Sequence, residues 1–292
     1  MRRITTLLLL ALCVTLMQAQ DDRQKLNFND NWLLQVGDVA NGALTQTADN
    51  SWLRITLPYA FNGSEAFRKD IANLTDTIVW YRKHFTLNDN ALKGKVFIEF
   101  EGVRQGADFF LNGQLVGTSE NGVMACGFDL TPFVRQGDNV IAVRCDNSWT
   151  YRDRRLNSRF QWNDRNFNAN YGGIPKNVFL HLTGNVYQTL PLYSNLQTTG
   201  TYVYATDIDV QAHSAVVHVE SEVKNDDHNS HQLRLLFTLK DADGNTVAQA
   251  MGTEAVTLAP GQATVLKAQA PVEDLHFWSW GYGYLYTVES CL

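Results

Sequence analysis

The chain has 292 residues, enough for about two domains, with 45% apolar and 18% charged residues and a formal net charge of −6. This balance is typical of a globular protein and excludes an intrinsically disordered one. The negative charge argues against a nucleic-acid partner, because phosphate binding needs a clustered basic surface.

Residues 1–20 have the pattern of a secretory signal peptide. Arg2 and Arg3 form a short cationic region, and the apolar run at 7–16 is too short to span a bilayer. Ala19 supplies a small residue before the expected cleavage at residue 19 or 20. We therefore expect a secreted or periplasmic protein without a membrane partner; a membrane anchor is the alternative interpretation of the same run.

Residues 21–190 are predicted to form a series of short strands separated by turns. WYRKHFTL at 80–87 and KVFIEFEGV at 95–103 alternate with period two and are rich in β-branched and aromatic residues. Asn112-Gly113, between two apolar runs, is the strongest short-range signal for a hairpin. Because no stretch has a sustained helical period, this region is predicted to be an all-β sandwich or jelly roll.

Residues 191–292 are predicted to form a second sandwich. A polar, glycine-containing stretch at 189–202 marks the boundary. Six short apolar segments with turns between them follow, at 207–212, 215–225, 231–241, 245–252, 262–270 and 284–290. This spacing over about 90 residues predicts an immunoglobulin-like β-sandwich.

Residues 101–147 carry several motifs in a fixed order: the hairpin LNGQLVG, the step FDLTPFV, a Gly-x-Asn turn and the strand AVRCDN. They resemble the sugar-binding jelly-roll domain of glycoside hydrolase family 2, which includes β-galactosidases, β-glucuronidases and β-mannosidases. YGGIPKNVFLHLT at 171–183 is similar to the last strand of that domain. HFWSWGYGYLYTVES at 276–290 is similar to a strand of the family's immunoglobulin-like domain.

The resemblance implies that the chemistry belongs to a third domain, a TIM barrel of about 250 residues that follows the other two. We find no counterpart of that barrel up to Leu292. In the family one more strand follows the segment similar to 284–290, so we expect the second sandwich to lack its last strand.

Retaining glycosidases need two carboxyl groups about 5–5.5 Å apart. Glu99 and Glu101 share one face of a strand, but a solvated sheet face accounts for them better. We predict no catalytic residue on this chain and no activity by the chain alone.

Residues 147–173 form the segment richest in chemistry. Its 27 residues are too many for an ordinary connection, and such loops are usually functional or disordered. Its aromatic residues argue against disorder, and they are interspersed with arginines, aspartates and asparagines; they include Trp149, Tyr151, Phe160, Trp162 and Phe167. Aromatic faces cover the apolar side of a pyranose, while polar side chains bind its hydroxyl groups. We therefore predict that this loop meets a sugar.

The resemblance implies which residues of the loop approach the sugar, because the family's equivalent loop reaches the barrel pocket. The predicted contacts are Asp164, Asn166, Asn168 and Asn170, with Trp162 as a platform. Asp76, upstream, is a weaker candidate. The alternative is an interdomain strut whose arginines pair with carboxylates of the barrel.

We expect no metal and no cofactor. Cys126, Cys145 and Cys291 remain after cleavage, an odd number without CxxC spacing, and a Cys126–Cys145 disulfide is left open. N-glycosylation sequons lie at 62–64 and 73–75.

The sequence thus predicts the non-catalytic N-terminal part of a secreted family-2 enzyme, most like a β-galactosidase. Its partners are a glycan with a terminal β-linked sugar and the barrel of the same enzyme. A freestanding carbohydrate-binding module and an adhesion protein are the alternatives, and the oligomeric state is left open.

Overall fold

The computed structural model of the chain describes residues 23–159 and 170–292. These residues form two compact units. The first comprises Arg23–Thr183 and Leu192–Gln197, and the second comprises Gly184–Pro191 and Thr198–Leu292.

The first unit is built of short antiparallel strands. They are β1 Gln24–Asn27, β2 Trp32–Val36, β3 Leu53–Ile55, β4 Tyr59–Ala60, β5 Ile78–Leu87, β6 Lys95–Phe100, β7 Gly106–Leu111, β8 Gln114–Ser119, β9 Cys126–Asp129, β10 Gly137–Asp146, β11 Gly173–Ile174 and β12 Val178–Thr183. Short 3-10 turns lie at Gly63–Phe67, Ile71–Asn73 and Ala91–Lys93, and a one-turn helix, α1, lies at Tyr193–Leu196.

Two sheets enclose the core of the first unit. One has the order β1-β12-β6-β9, the other has the order β3-β2-β5-β10-β7-β8, and β4 pairs with β11 in a small ribbon. Phe109 of the six-stranded sheet packs against Phe100 and Phe128 of the four-stranded sheet, with ring centroids 4.9 and 4.6 Å apart. Burial of each such side chain contributes about 1.5–3 kcal/mol. The predicted jelly-roll sandwich is confirmed.

The predicted hairpin at Asn112-Gly113 joins β7 to β8. Leu111 faces Gln114 across it, and the two loop residues have φ of 53° and 84°. A positive φ at both positions is the geometry that follows the twist of the strands, and it favours the Asn-Gly pair.

The second unit has nine strands. They are β13 Val186–Gln188, β14 Thr201–Asp209, β15 Ser214–Asn225, β16 His231–Leu233, β17 Leu236–Lys240, β18 Thr246–Met251, β19 Val256–Leu258, β20 Ala263–Val272 and β21 Thr287–Cys291. β15 pairs with β13, β14 and β20, β17 lies between β18 and β21, and β16 pairs with β19. Along β15 every second residue is buried, as a half-exposed strand requires. The predicted immunoglobulin-like sandwich is confirmed.

Three predicted strands have different bounds in the structure. The strand predicted at 207–212 runs instead from Thr201 to Asp209, whose carboxylate accepts the backbone N–H groups of two following residues and so ends the strand in a turn. The segment 231–241 is divided between β16 and β17, because the backbone at Leu235 pairs with Gly252 where the chain changes sheets.

The third difference concerns the end of the chain, where the predicted strand 284–290 begins only at Thr287. Tyr284 and Tyr286 instead use their hydroxyl groups to accept backbone N–H groups. β21 pairs with β17 along one edge, and no other strand among the described residues pairs with β21. The expectation of a missing last strand stays a prediction.

Two further features concern residues 23–159 and 170–292. No helix there is long and apolar enough to cross a membrane. The thiols of Cys126, Cys145 and Cys291 are all free; the first two lie in the core of the first unit, where burial raises the pKa of Cys126 to about 12.

Candidate carbohydrate-contacting loop

The structure describes both ends of the loop at 147–173. Four of the predicted sugar contacts, Trp162, Asp164, Asn166 and Asn168, lie outside the described residues. The fifth, Asn170, is described, and so are the near arm at 147–159 and the turn at 170–173. These two parts show how the loop is held.

Three buried asparagines fasten the far end of the loop. The side-chain amides of Asn147 and Asn170 each donate to the backbone carbonyl of the other, at 3.0 and 2.8 Å. Asn62 donates to the carbonyls of Asn170 and Thr75, at 2.7 and 2.9 Å, and accepts the Gly172 N–H at 3.0 Å. Hydrogen bonds of buried amides to backbone groups fix the path of the chain, because leaving any of them unmade would be costly.

Asn170 is thus an anchor of the loop in this structure. Its side chain is 0% exposed, so a glycan could reach it only if the surrounding residues moved. Sugar contact by Asn170 stays a prediction. The same burial applies to Asn62, and it prevents N-glycosylation at the 62–64 sequon in the folded chain.

Gly173 brings the loop back onto the sheet. Its φ is +92°, and a Cβ atom built there would lie 1.9 Å from the Tyr81 hydroxyl. Only glycine meets both the left-handed conformation and the close approach. Gly173 also exchanges two backbone hydrogen bonds with Arg104, each of 2.9 Å. The Tyr-Gly-Gly sequence therefore allows the end of the loop to pack closely against the sheet.

Carboxylates of the β7–β8 hairpin hold the near arm. Arg154 donates two hydrogen bonds to Asp108, at 2.6 and 3.0 Å, in the bidentate geometry that makes such pairs strong. Glu120 accepts the Tyr151 hydroxyl at 2.5 Å and the backbone N–H of Arg154 at 3.1 Å. The hydrogen bond to Asp108 raises the pKa of Arg154, while burial and then the bond to Glu120 raise the pKa of Tyr151.

A tight turn ends the described part of the near arm. Asp153 and Ser158 are joined by a backbone hydrogen bond, and Arg152 donates to the carbonyl of Asn157 at 2.8 Å. At the base of this arm, the backbone N–H of Trp149 donates to Asp76 Oδ2 at 3.0 Å. Asp76 therefore holds the loop in this structure, which is a role that its sequence position did not indicate.

The two strand glutamates are held separately. Glu99 accepts His181 Nε2 at 2.8 Å and lies 3.4 Å from Lys25 Nζ, whereas Glu101 accepts Asn177 Nδ2 at 2.9 Å. The hydrogen bond from His181 lowers the pKa of Glu99, the opposite of what a general acid needs. Within residues 23–159 and 170–292, no group of three or more His, Cys, Asp or Glu is arranged to hold a metal ion.

Sequence reasoning missed the residues that hold the loop, above all Asn62, Asp108 and Glu120. Each lies more than 25 residues from its partner in the chain. Their only local signal is a polar residue beside a turn or on a strand, which many surface residues share.

Comparison with known proteins shows the family. The family model described as "Glycosyl hydrolase 2 galactose-binding domain-like" matches residues 64–180, and the one described as "Glycosyl hydrolases family 2" matches residues 201–292. The chain belongs to glycoside hydrolase family 2 and carries its N-terminal sandwich domains.

Several proteins similar to this chain are glycosidases. The chain is 35% identical to a β-glucuronidase of Formosa agariphila, over 93% of this chain and 28% of that protein. It is 29% identical to the β-galactosidase BoGH2A of Bacteroides ovatus, over 91% of this chain and 29% of that protein. A solved β-glucuronidase of family 2 superposes with a TM-score of 0.84 at 34% identity, over 93% of this chain and 29% of the other. The chain spans less than a third of the length of these relatives.

Proposed function

We propose that this chain is the non-catalytic N-terminal part of a secreted enzyme that hydrolyses terminal β-glycosidic bonds with retention. The main support is that two family models match consecutive parts of the chain, at 64–180 and 201–292. The chain also covers less than a third of the length of its β-glucuronidase and β-galactosidase relatives. The cationic and apolar pattern of residues 1–20 supports secretion.

The absence of a catalytic role rests on the carboxylates. In the part of the chain that the structure describes, Glu99 and Glu101 bind separate partners, and the pKa of Glu99 is lowered rather than raised. A retaining mechanism instead needs a nucleophile and an acid that share one site. The chemistry therefore belongs to a catalytic barrel, which is the proposed polypeptide partner.

The loop at 147–173 supplies part of the sugar site in this proposal. Its proposed contacts are Trp162, Asp164, Asn166, Asn168 and Asn170. The support is the way in which the loop is fastened at both ends, by the asparagines at the far end and by Asp108 and Glu120 at the near arm. Fixed ends reduce the entropy lost when a ligand is bound.

The interdomain strut remains as a competing role for the arginines. Arg154 argues against it, since this side chain already binds Asp108 within its own unit. The assignment as part of an enzyme also competes with a freestanding carbohydrate-binding module, for which a complete site on this chain would be needed.

The first test is an assay of the purified chain with nitrophenyl β-galactoside, β-glucuronide and β-mannoside. We expect no turnover above that of a mock purification, and turnover that copurifies with the chain through two further columns would overturn the proposal. The second test is to sequence the DNA beyond the Leu292 codon. Coding sequence for a barrel, in frame or shifted, supports the enzyme part, and unrelated sequence supports the binding module.

Secretion is tested by mass spectrometry of the N-terminus of the exported chain. We expect it to begin at residue 20 or 21. A chain that retains residues 1–19 would instead indicate the membrane anchor.

A further inference from the structure

The segment between β4 and β5 forms a pre-organised loop at 62–75. Asn62 Nδ2 donates to Thr75 O at 2.9 Å, which joins the ends of the loop. Both carboxylate oxygens of Glu65 accept from Thr75, one from its N–H and one from its hydroxyl group, each at 2.7 Å. Leu74 is buried beneath the loop. A loop held in this way loses little conformational entropy when it binds a ligand.

An open pocket of about 470 Å³ lies on the outer side of this loop, lined by Ala66, Phe67, Arg68, Lys69, Asp70 and Asn73. Phe67 is 91% exposed. Its ring buries almost nothing within its own unit, so the whole aromatic face is accessible to a ligand beside the polar side chains of the pocket.

The polar groups of the pocket are mostly uncommitted. Lys69 is held by Glu65, with 3.1 Å between Nζ and Oε1. Among the residues that the structure describes, the side chains of Arg68, Asp70 and Asn73 have no hydrogen-bond or ion-pair partner. Arg68 offers only donors, Asp70 only acceptors and Asn73 both.

We propose that this pocket binds one uncharged pyranose residue of a glycan. The ring of Phe67 covers the apolar C–H face of the sugar, and Arg68, Asp70 and Asn73 bind its hydroxyl groups, which both donate and accept. The negative charge of Asp70 balances the positive charge of Arg68, and the negative charge of Glu65 balances that of Lys69. Because the pocket has no net charge, we expect it to prefer an uncharged sugar. This inference rests on the proposed function for its ligand class, but its site is distinct from the 147–173 loop.

The pocket binds weakly by itself. It is open and has one aromatic face, so we expect a dissociation constant in the millimolar range, about 1 mM or above. Such a site adds affinity and orientation to a glycan that is also held elsewhere on the enzyme.

The test is an NMR titration of the 15N-labelled chain with methyl β-galactopyranoside and with methyl β-glucopyranoside. The measured quantity is the change in backbone amide chemical shifts. We expect saturable shifts at residues 66–73. Phe67→Ala should weaken binding by at least about tenfold, a loss of ~1.4 kcal/mol. Tyr193→Ala is the matched control, because Tyr193 is an exposed aromatic of the same unit, 72% exposed and not part of the pocket.

The outcomes separate this pocket from the proposed function. Shifts at 147–159 and 170–173 with unmoved amides at 66–73 would keep the loop assignment and overturn the pocket. Binding at 66–73 in a chain whose downstream DNA encodes no barrel would keep the pocket and overturn the enzyme assignment. No shift at about 50 mM sugar, far above a millimolar constant, or tighter binding of methyl β-glucuronide, would overturn the pocket as proposed.

Discussion

The two sandwiches solve the same packing problem with different residues. The first buries charged side chains in its interior, including Arg82, Lys83 and Asp49. In the second, the buried polar residues among those described are neutral: Thr189, Ser221 and Asn225. The difference teaches that one all-β architecture can be built with or without buried charged side chains in its interior.

Their aromatic residues are distributed in opposite ways. In the first unit Trp32, Phe100 and Phe109 fill the core. In the second unit the buried core is mostly Val, Ala and Leu around Phe237, while Trp280 is 96% exposed. Most large aromatic side chains of the first unit are therefore buried, with Phe67 and Tyr193 among the exposed exceptions, whereas the second unit exposes both Trp278 and Trp280.

The largest expected effect tests the aromatic cores. Phe109→Ala should lower the free energy of unfolding of the first unit by about 3–5 kcal/mol, because it removes contacts with two rings and leaves a cavity. Residue-resolved hydrogen exchange should show reduced protection of the backbone amides in β5–β10. Phe237→Ala is the counterpart and should act on the second unit. Equal loss of protection in both units from either change would show that the two sandwiches unfold together.

The next effect tests the buried charge. Arg82 donates to Asp49 at 2.8 Å and to the carbonyls of Gly42 and Leu44. Arg82→Met should destabilise the first unit by about 3 kcal/mol or more, because it leaves Asp49 without its main partner. Urea unfolding measures this loss. Arg54→Met, which changes an exposed arginine of the same unit, is the control and should cost less than about 0.5 kcal/mol.

The pair of Arg82 and Asp49 also makes the stability of the first unit depend on pH in the acidic range. Burial would raise the pKa of Asp49, but hydrogen bonds from Arg82 and His84 outweigh it and hold that pKa below its ordinary value. The stabilisation is present above the unfolded pKa of an aspartate and is lost as pH falls through the lower folded value. Arg82→Met should therefore reduce the loss of unfolding free energy as the pH falls. If that loss is unchanged in the variant, other carboxylates cause it.

A smaller effect is expected on the alkaline side. Lys83 donates to the carbonyls of Phe28 and Asp30 with little access to water, and burial lowers its pKa to about 8. Since the unfolded chain keeps this proton up to about pH 10.5, the stability of the first unit should rise with pH between 8 and 10.5. NMR titration of Lys83 should have its midpoint near 8. Lys83→Met should abolish the rise, and a midpoint above 10 would contradict the assignment.

The smallest effect on stability is expected at the exposed turn at 278–282 of the second unit, which the backbone pairing of Ser279 with Tyr282 closes. Trp278 and Trp280 are largely exposed, so changing both to serine should alter the free energy of unfolding by less than about 0.5 kcal/mol. The change should instead reduce association, because exposed apolar surface favours contact with another chain. Sedimentation velocity at several concentrations is the measurement. A wild-type chain that stays monomeric at high concentration would show that this surface is not adhesive.

Several features of the fold followed from local pattern alone. Period-two alternation marked the strands at 80–87 and 95–103, and Asn112-Gly113 marked its hairpin, because side-chain direction in a strand and φ in a tight turn depend on neighbouring residues. The motifs at 101–147 then indicated the family. The wrong strand bounds lie where residues distant in the chain determine the structure. The segment 231–241 is divided between two sheets because Leu235 pairs with Gly252, β16 pairs with β19, and β17 pairs with β18 and β21.

The sequence by itself thus determined the strand-rich architecture, the family and the existence of a polar, aromatic loop at 147–173. Only the tertiary structure decided what each polar residue of that loop does. Asn170 lies in the loop where a sugar contact was predicted, yet its amide holds Asn147, and the near arm is held by Asp108 and Glu120 from another hairpin. The exposure of Phe67 and the free groups beside it are likewise properties of the folded loop at 62–75. The physical reason is that a hydrogen bond needs two groups within about 3 Å, and only folding brings together residues far apart in the chain.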